Sequence, residues 1–181
     1  MTVNATLVSE ERAAAVRAWN QAFDSTDAFG WPFSTAVNFG RVLFPTDGCQ
    51  LSREQFDALA RVAAKRGETT CYLAVVEGHV RLEANADQRI FMISLADYES
   101  YASLYLTLEN AIYSTSGDWG ILLSHEMHAV LGGDAVLVSE FNQLDTSAAE
   151  QWKAFQGQWC AEKHKEWVAQ IASHVLNSPG D

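Results

Sequence analysis

The chain has 181 residues, 48% of them hydrophobic and 19% charged, which is enough apolar material for one ordinary core and too much for a disordered chain. Its formal charge of −11 opposes direct contact with a phosphate backbone and attracts basic partners. The opening MTVNATLVSEER lacks the basic start and apolar run of a secretory signal, and no uncharged apolar run approaches the roughly 20 residues of a membrane span. Cys49, Cys71 and Cys160 are odd in number, far apart and without CxxC spacing. They are expected to be buried free thiols in a reducing cytoplasm rather than a disulfide framework or a zinc site.

Ser9 is placed to cap a first helix running to about Asp24, with Glu10 and Glu11 at its positive end and Val16, Trp19 and Phe23 on its buried stripe. Asp24 to Phe33 reads as a loop, because proline in Trp31-Pro32-Phe33 cannot continue a helix. Trp31 is expected to fold back onto the core. Val37 to Phe44 reads as a strand ended by Pro45 to Gly48. Ser52 and Gln55 then form a capping box, ahead of a helix that buries Phe56, Leu59, Ala60 and Ala63 and stops at Gly67. Arg53, Asp57, Arg61 and Lys65 face water on it.

Thr69 to Glu77 and Arg89 to Leu95 read as strands, with a turn at Glu77-Gly78-His79. Asp97 or Ser100 caps a helix whose face is Tyr98, Tyr101, Ala102 and Tyr105, an amphipathic core edge with its hydroxyls at the water boundary. The stretch Asn110 to Gly133 is the clearest organising element. Its apolar runs Ile121–Leu123 and Ala129–Leu131 lie between the turn signals Ser114-Thr115-Ser116-Gly117-Asp118 and Gly132-Gly133-Asp134, the pattern of a meander. A further strand is expected near Ala135 to Val138. From Ser147 to Leu176 the spacing of Trp152, Phe155, Trp159, Cys160, His164, Trp167, Ile171 and Val175 predicts a long C-terminal helix, with a bend at Gly157. The expected fold is one α+β domain: a largely antiparallel sheet with helices on one face and at its ends.

The segment His125-Glu126-Met127-His128 is one residue short of the HExxH pattern that sets two zinc ligands on one helical face. On a strand an offset of three turns the two imidazoles to opposite faces. No third ligand is evident, so no metal and no cofactor is expected. No GxSxG elbow, cysteine-protease signature or phosphate-cradling glycine loop is present, and nothing selects a pair of carboxylates for glycoside chemistry. If the chain is catalytic, His125, Glu126 and His128 are the candidates, sharing proton transfer in a small hydrolase-like pocket.

Tyr113-Ser114 … Gly117-Asp118-Trp119-Gly120 … Ser124-x-Glu126-x-His128-Ala129-x-x-Gly132-Gly133 resembles a hairpin of small, poorly characterised bacterial α/β proteins, some of them similar to the immunity proteins of polymorphic-toxin systems. It covers about 20 residues and carries over no catalytic residue. The resemblance implies a binding protein in which Trp119, the glycines and His128 fix turns and packing. Charge leads the same way: from Leu82 to Glu150 eleven acids face one base, Arg89, a net −10. The expectation is therefore an acidic cytoplasmic protein that neutralises a basic protein partner, touching neither nucleic acid nor membrane. Asp118, Trp119, Glu126 and His128 are its candidate contacts, and Asp118 and Glu126 its steering charges. A small enzyme and a non-catalytic assembly subunit are the alternatives.

Overall fold

A computed structural model describes residues 9–76, 82 and 89–175. Its elements in chain order are α1 (Ser9–Ala22), β1 (Phe39–Leu43), α2 (Arg53–Lys65), β2 (Thr70–Val75), β3 (Ile90–Ser94), α3 (Tyr98–Ala102), β4 (Asn110–Tyr113), β5 (Gly120–Leu123), β6 (Ala129–Gly133), α4 (Ala135–Leu144), α5 (Ala148–Gln158), a 3₁₀ turn (Glu162–His164) and α6 (Lys165–Ala172). The six strands form one antiparallel sheet in the order β1-β6-β5-β4-β2-β3. The expected meander is its centre, and the expected α+β domain is the observed one. The turn expected at Glu77-Gly78-His79 lies outside the described residues.

Helices cover both faces of the sheet, not one. Every residue of β4, β5 and β6 is buried. Along a strand successive side chains alternate between faces, so an apolar run with no polar parity needs cover on each side. On the first face Ile112, Ile121 and Leu131 pack under α2 and α4 with Phe56, Leu59, Leu137 and Phe141. On the second, Ala111, Leu122 and Val130 pack under α1, α5 and α6 with Trp19, Phe23, Phe155 and Ile171. Each such aliphatic or aromatic side chain contributes about 1.5–3 kcal/mol by leaving water.

Gly120 and Gly132 are register partners on adjacent strands, and they make the second face shallow at one point. A Cβ on Gly120 would lie 2.4 Å from the ring of Phe23, and one on Gly132 2.6 Å from the ring of Phe33. Those two rings stack at 5.1 Å in the space the missing side chains leave. Trp31 follows them inward, stacked on His174 at 3.9 Å.

The capping box of α2 forms as read: Ser52 Oγ accepts from the Gln55 amide, and the Gln55 side chain accepts from the Ser52 amide. Two other expectations need correction. Residues 135–138 are not a strand but the first turn of α4, because Asp134 accepts the Leu137 amide at 2.7 Å and caps the helix. Arg66 pairs with the same carboxylate at 2.9 Å. The C-terminal helix is not continuous: α5 ends at Gln158 and a 3₁₀ turn re-aims the chain into α6. Cys160 consequently stands exposed in the break, whereas Cys49 and Cys71 are buried as expected.

Arg41, on edge strand β1, is buried. It bonds Asn142 at 3.1 Å and the Asp145 carbonyl at 2.8 Å, and forms an ion pair with the Asp145 carboxylate. The pair pins β1 to the α4–α5 connection. Burial pulls the Arg41 pKa down and Asp145 acts against it, so the guanidinium keeps its charge by keeping its partner.

Candidate functional site

The candidate residues come from the two turns of the meander, and consecutive turns of a meander lie at opposite ends of a sheet. Asp118 and Trp119 belong to the β4–β5 turn; His125, Glu126 and His128 belong to the β5–β6 turn. The four expected contacts therefore do not form one face.

At the first end the polar groups satisfy one another. Ser114 Oγ accepts the Asp118 amide at 2.8 Å, and Ser116 donates to the Asp118 carboxylate at 2.9 Å. Gly117 turns the chain at φ +81°, beneath α1, where a Cβ would lie 2.5 Å from the Ala18 carbonyl oxygen. Trp119 is fully buried, and its indole N–H donates to Glu68 at 2.8 Å. Burial raises the Glu68 pKa, opposed by that N–H and by the Arg66 charge. Trp119 is thus a core side chain with a satisfied polar handle, and Asp118 is an exposed carboxylate built into its own turn.

The second end separates its two histidines. His128 is fully buried on the second face of the sheet, its ring 5.1 Å from Phe29, 5.2 Å from Phe155 and 6.1 Å from Trp159. Its Nε2 lies 2.9 Å from the Ala28 carbonyl. A carbonyl only accepts, so the proton sits on Nε2, and Nδ1 faces the interior without a hydrogen bond. Burial depresses the His128 pKa; the carbonyls of Ala28 and Glu126 and the Glu126 carboxylate act weakly the other way. The ring is neutral at pH 7.

His125 instead stands 51% exposed between two carboxylates, its Nδ1 3.3 Å from Glu109 and its Nε2 3.6 Å from Glu126. With one carboxylate on each nitrogen, the three groups do not converge on a shared point. Among the described residues no set of three or more His, Cys, Asp or Glu side chains is arranged to hold a metal ion. The structure thus places Glu126 beside His125, seals His128 beneath the aromatic cluster, and leaves Asp118 and Trp119 at the far end of β5.

Sequence reasoning missed the neighbours of this second turn. Met127 adopts φ +61° with 49% of its surface exposed, and the Thr46 amide donates to its carbonyl at 2.9 Å. The α3–β4 connection reaches the same end of the sheet through Glu109. There Tyr105, at φ +45°, is 84% exposed, and Leu108 is exposed too. Tyr105 was expected on the buried edge of a helix, but α3 stops at Ala102. Tyr101 alone takes the inner place, its hydroxyl accepting the Leu51 amide at 2.7 Å. A signal for this was present: Leu104 and Leu106 alternate with Tyr105 and Thr107, which turns the tyrosine outward whenever the leucines turn in. Asp47 is exposed on the β1–α2 connection, next to Thr46. His125 thus lies between Glu109 and Glu126, while Met127, Tyr105, Leu108 and Asp47 are exposed on the turn and the two connections that run to this end of the sheet.

No family model, no characterised protein and no solved structure matches the chain in comparisons of sequence and fold.

Proposed function

We propose that the chain is an acidic binding protein, immunity-like in role, that neutralises a basic protein partner in the bacterial cytoplasm through the β5–β6 end of its sheet. The observation that carries the reading is that Tyr105 and Met127 are both large apolar side chains exposed to solvent at positive φ, on a connection and a turn that also carry Glu109 and Glu126. Left-handed backbone costs a non-glycine residue about 1–2 kcal/mol, and such strain gathers at working surfaces. Exposed aromatic and thioether side chains bounded by charge are the composition of an interface centre and its rim. Carboxylates there would steer a basic protein into contact, and Tyr105 would hold it by packing and by cation–π contact with lysine or arginine. A nucleic acid would meet repulsion from the same carboxylates. Free thiols at Cys49, Cys71 and Cys160 fit a reducing compartment.

The test uses the whole chain as bait for proteins of the native host, then measures association with whatever is captured. A basic partner is expected, with an association rate that falls as salt rises. Glu109→Lys combined with Glu126→Lys should slow association about tenfold or more, and Tyr105→Ala should mainly speed dissociation. A captured partner that is not basic, or rates indifferent to all three substitutions, would sink the proposal.

A further inference from the structure

Two adjoining depressions open along one side of α2, against the β3–α3 connection. The first, of about 350 Å³, has Asp57, Ala60 and Arg61 on its helix side and Leu95 and Ala96 on the connection; Arg53 and Tyr98 also line it. The second, of about 220 Å³, shares Ala60, Arg61, Leu95 and Ala96 with the first and adds Ala64, Thr69 and Glu68. Asp57, Ala60, Arg61 and Ala64 follow i, i+3, i+4, i+7, so a single helix face supplies one wall of both.

Charged side chains of both signs line this trough, and two of them are already engaged. Arg53 forms an ion pair with Glu99, and its guanidinium lies 4.3 Å from the centroid of the Tyr98 ring. Glu68 accepts the indole N–H of Trp119 at 2.8 Å. The other two are Asp57 and Arg61, and neither makes an ion pair or a side-chain hydrogen bond among the described residues. Residues four apart on a helix have Cβ atoms about 5–6 Å from each other. The trough therefore offers one unengaged charge of each sign, a single turn apart, with Ala60, Ala64, Leu95 and Ala96 beside them.

A simple anion drawn to Arg61 meets the like charge of Asp57 one turn away, and a simple cation drawn to Asp57 meets Arg61. A small molecule that carries both signs close together meets neither objection. We propose that the trough is a binding site for a free α-amino acid with an aliphatic side chain. Its carboxylate takes the two-pronged N–H donors of Arg61, and its ammonium donates to Asp57. Both charges of the ligand sit on one carbon, which suits two side chains rising from adjacent turns. The aliphatic side chain then lies over Ala60 toward Ala64 and Leu95, where alanine leaves room and no unengaged polar group asks for a partner. An acidic side chain would run toward Glu68 and be repelled there. The inference stands apart from the basic-partner reading, since Tyr105, Glu109, Glu126 and Met127 do not line the trough.

The test titrates the full-length chain with L-leucine at millimolar concentrations and follows backbone amide shifts by NMR. Saturable shifts are expected at Ala60, Ala64 and Ala96. Leucinamide, which lacks the carboxylate, and 4-methylpentanoate, which lacks the ammonium, should each bind about tenfold more weakly or worse, because each forfeits one charge-assisted contact. Glycine keeps both charges without the side chain and should bind at least about threefold more weakly. Asp57→Asn and Arg61→Gln should each weaken leucine by about tenfold or more. Both positions are exposed, so the melting temperature of each variant should stay at that of the wild type. An absence of saturable shifts with leucine, shifts confined to other parts of the chain, or either single-charge analogue binding as tightly as leucine would overturn the proposal. So would leucine affinity unchanged in both variants.

Discussion

The two turns of the meander use the same vocabulary and end in opposite states. Both open on serine: Ser114 accepts the Asp118 amide, and Ser124 accepts the Glu126 amide at 3.1 Å. Both carry a carboxylate and a residue at positive φ, Gly117 in one and Met127 in the other. The β4–β5 turn is roofed by α1 and locked to Glu68, while the β5–β6 turn keeps His125, Glu126 and Met127 in water. Whether a charged turn is free for a partner is decided by what folds over it, and the turn's own residues do not say. Glycine where α1 presses down and methionine where nothing does mark the same difference from the backbone side.

The largest way to break the closed end is Trp119→Ala. Emptying a fully buried indole site should cost about 3–5 kcal/mol, read as a lower denaturant midpoint. An equal stability of variant and wild type would show that Trp119 is not a core residue. Gly117→Ala should cost about 2 kcal/mol or more, since it adds a Cβ at φ +81° into the Ala18 carbonyl.

His128 gives the next effect, and its sign is fixed. Its folded pKa lies below the unfolded value of about 6.5, so in acid the unfolded chain binds the extra proton. Stability is complete above about pH 6.5 and declines as pH falls from there toward the folded pKa, by at most about 1.4 kcal/mol per pH unit. Unfolding free energies at pH 7.5 and 5.5 should differ in that direction, and His128→Phe should remove the part of the slope that belongs to this ring. A slope near pH 6 that is the same in both proteins would refute the assignment. The smallest effect sharpens the open end: Met127→Gly should raise stability by about 1 kcal/mol through release of backbone strain, while weakening binding at the proposed face. A loss of stability instead would mean that the Met127 side chain packs more than its exposure implies.

Elements that depend on local chemistry were legible in the sequence. The α2 capping box needs only Ser52 and Gln55, and the meander strands are fenced by glycine turns. Residues 135–138 were misread because Ala-Val-Leu-Val is a short apolar run that suits strand or helix equally. The arbiter was Asp134, whose cap bond to Leu137 marks a helix start. The cover on both faces of the sheet could have been read from strands with no polar parity. The C-terminal break was legible only as the bend expected at Gly157, one residue before α5 ends; Trp159 and Cys160 keep helical spacing, and only the three-dimensional path exposes the thiol. At the site, the charges were visible in order but not in place. Asp118 and Glu126 are eight positions apart and β5 holds them at opposite ends, while Glu109 reaches His125 across sixteen positions. Burial of His128 depends on Phe29, Phe155 and Trp159, which arrive from two distant parts of the chain, the loop after α1 and the end of α5.

The place of β1 has a consequence for synthesis. Arg41 is paired with Leu131, ninety positions later, and Gly40 is bridged to Val175, later still. A ribosome adding about 5–20 residues per second exposes β1 for on the order of 5–20 s before its partner strand exists. During that interval a strand with Val42 and Leu43 and the still unpaired cation of Arg41 waits for β6 and for Asp145. Chaperone demand should therefore concentrate on the nascent chain at this strand, and a circular permutant that begins within the loop after α2 and makes β1 after β6 should need less help to reach the same fold.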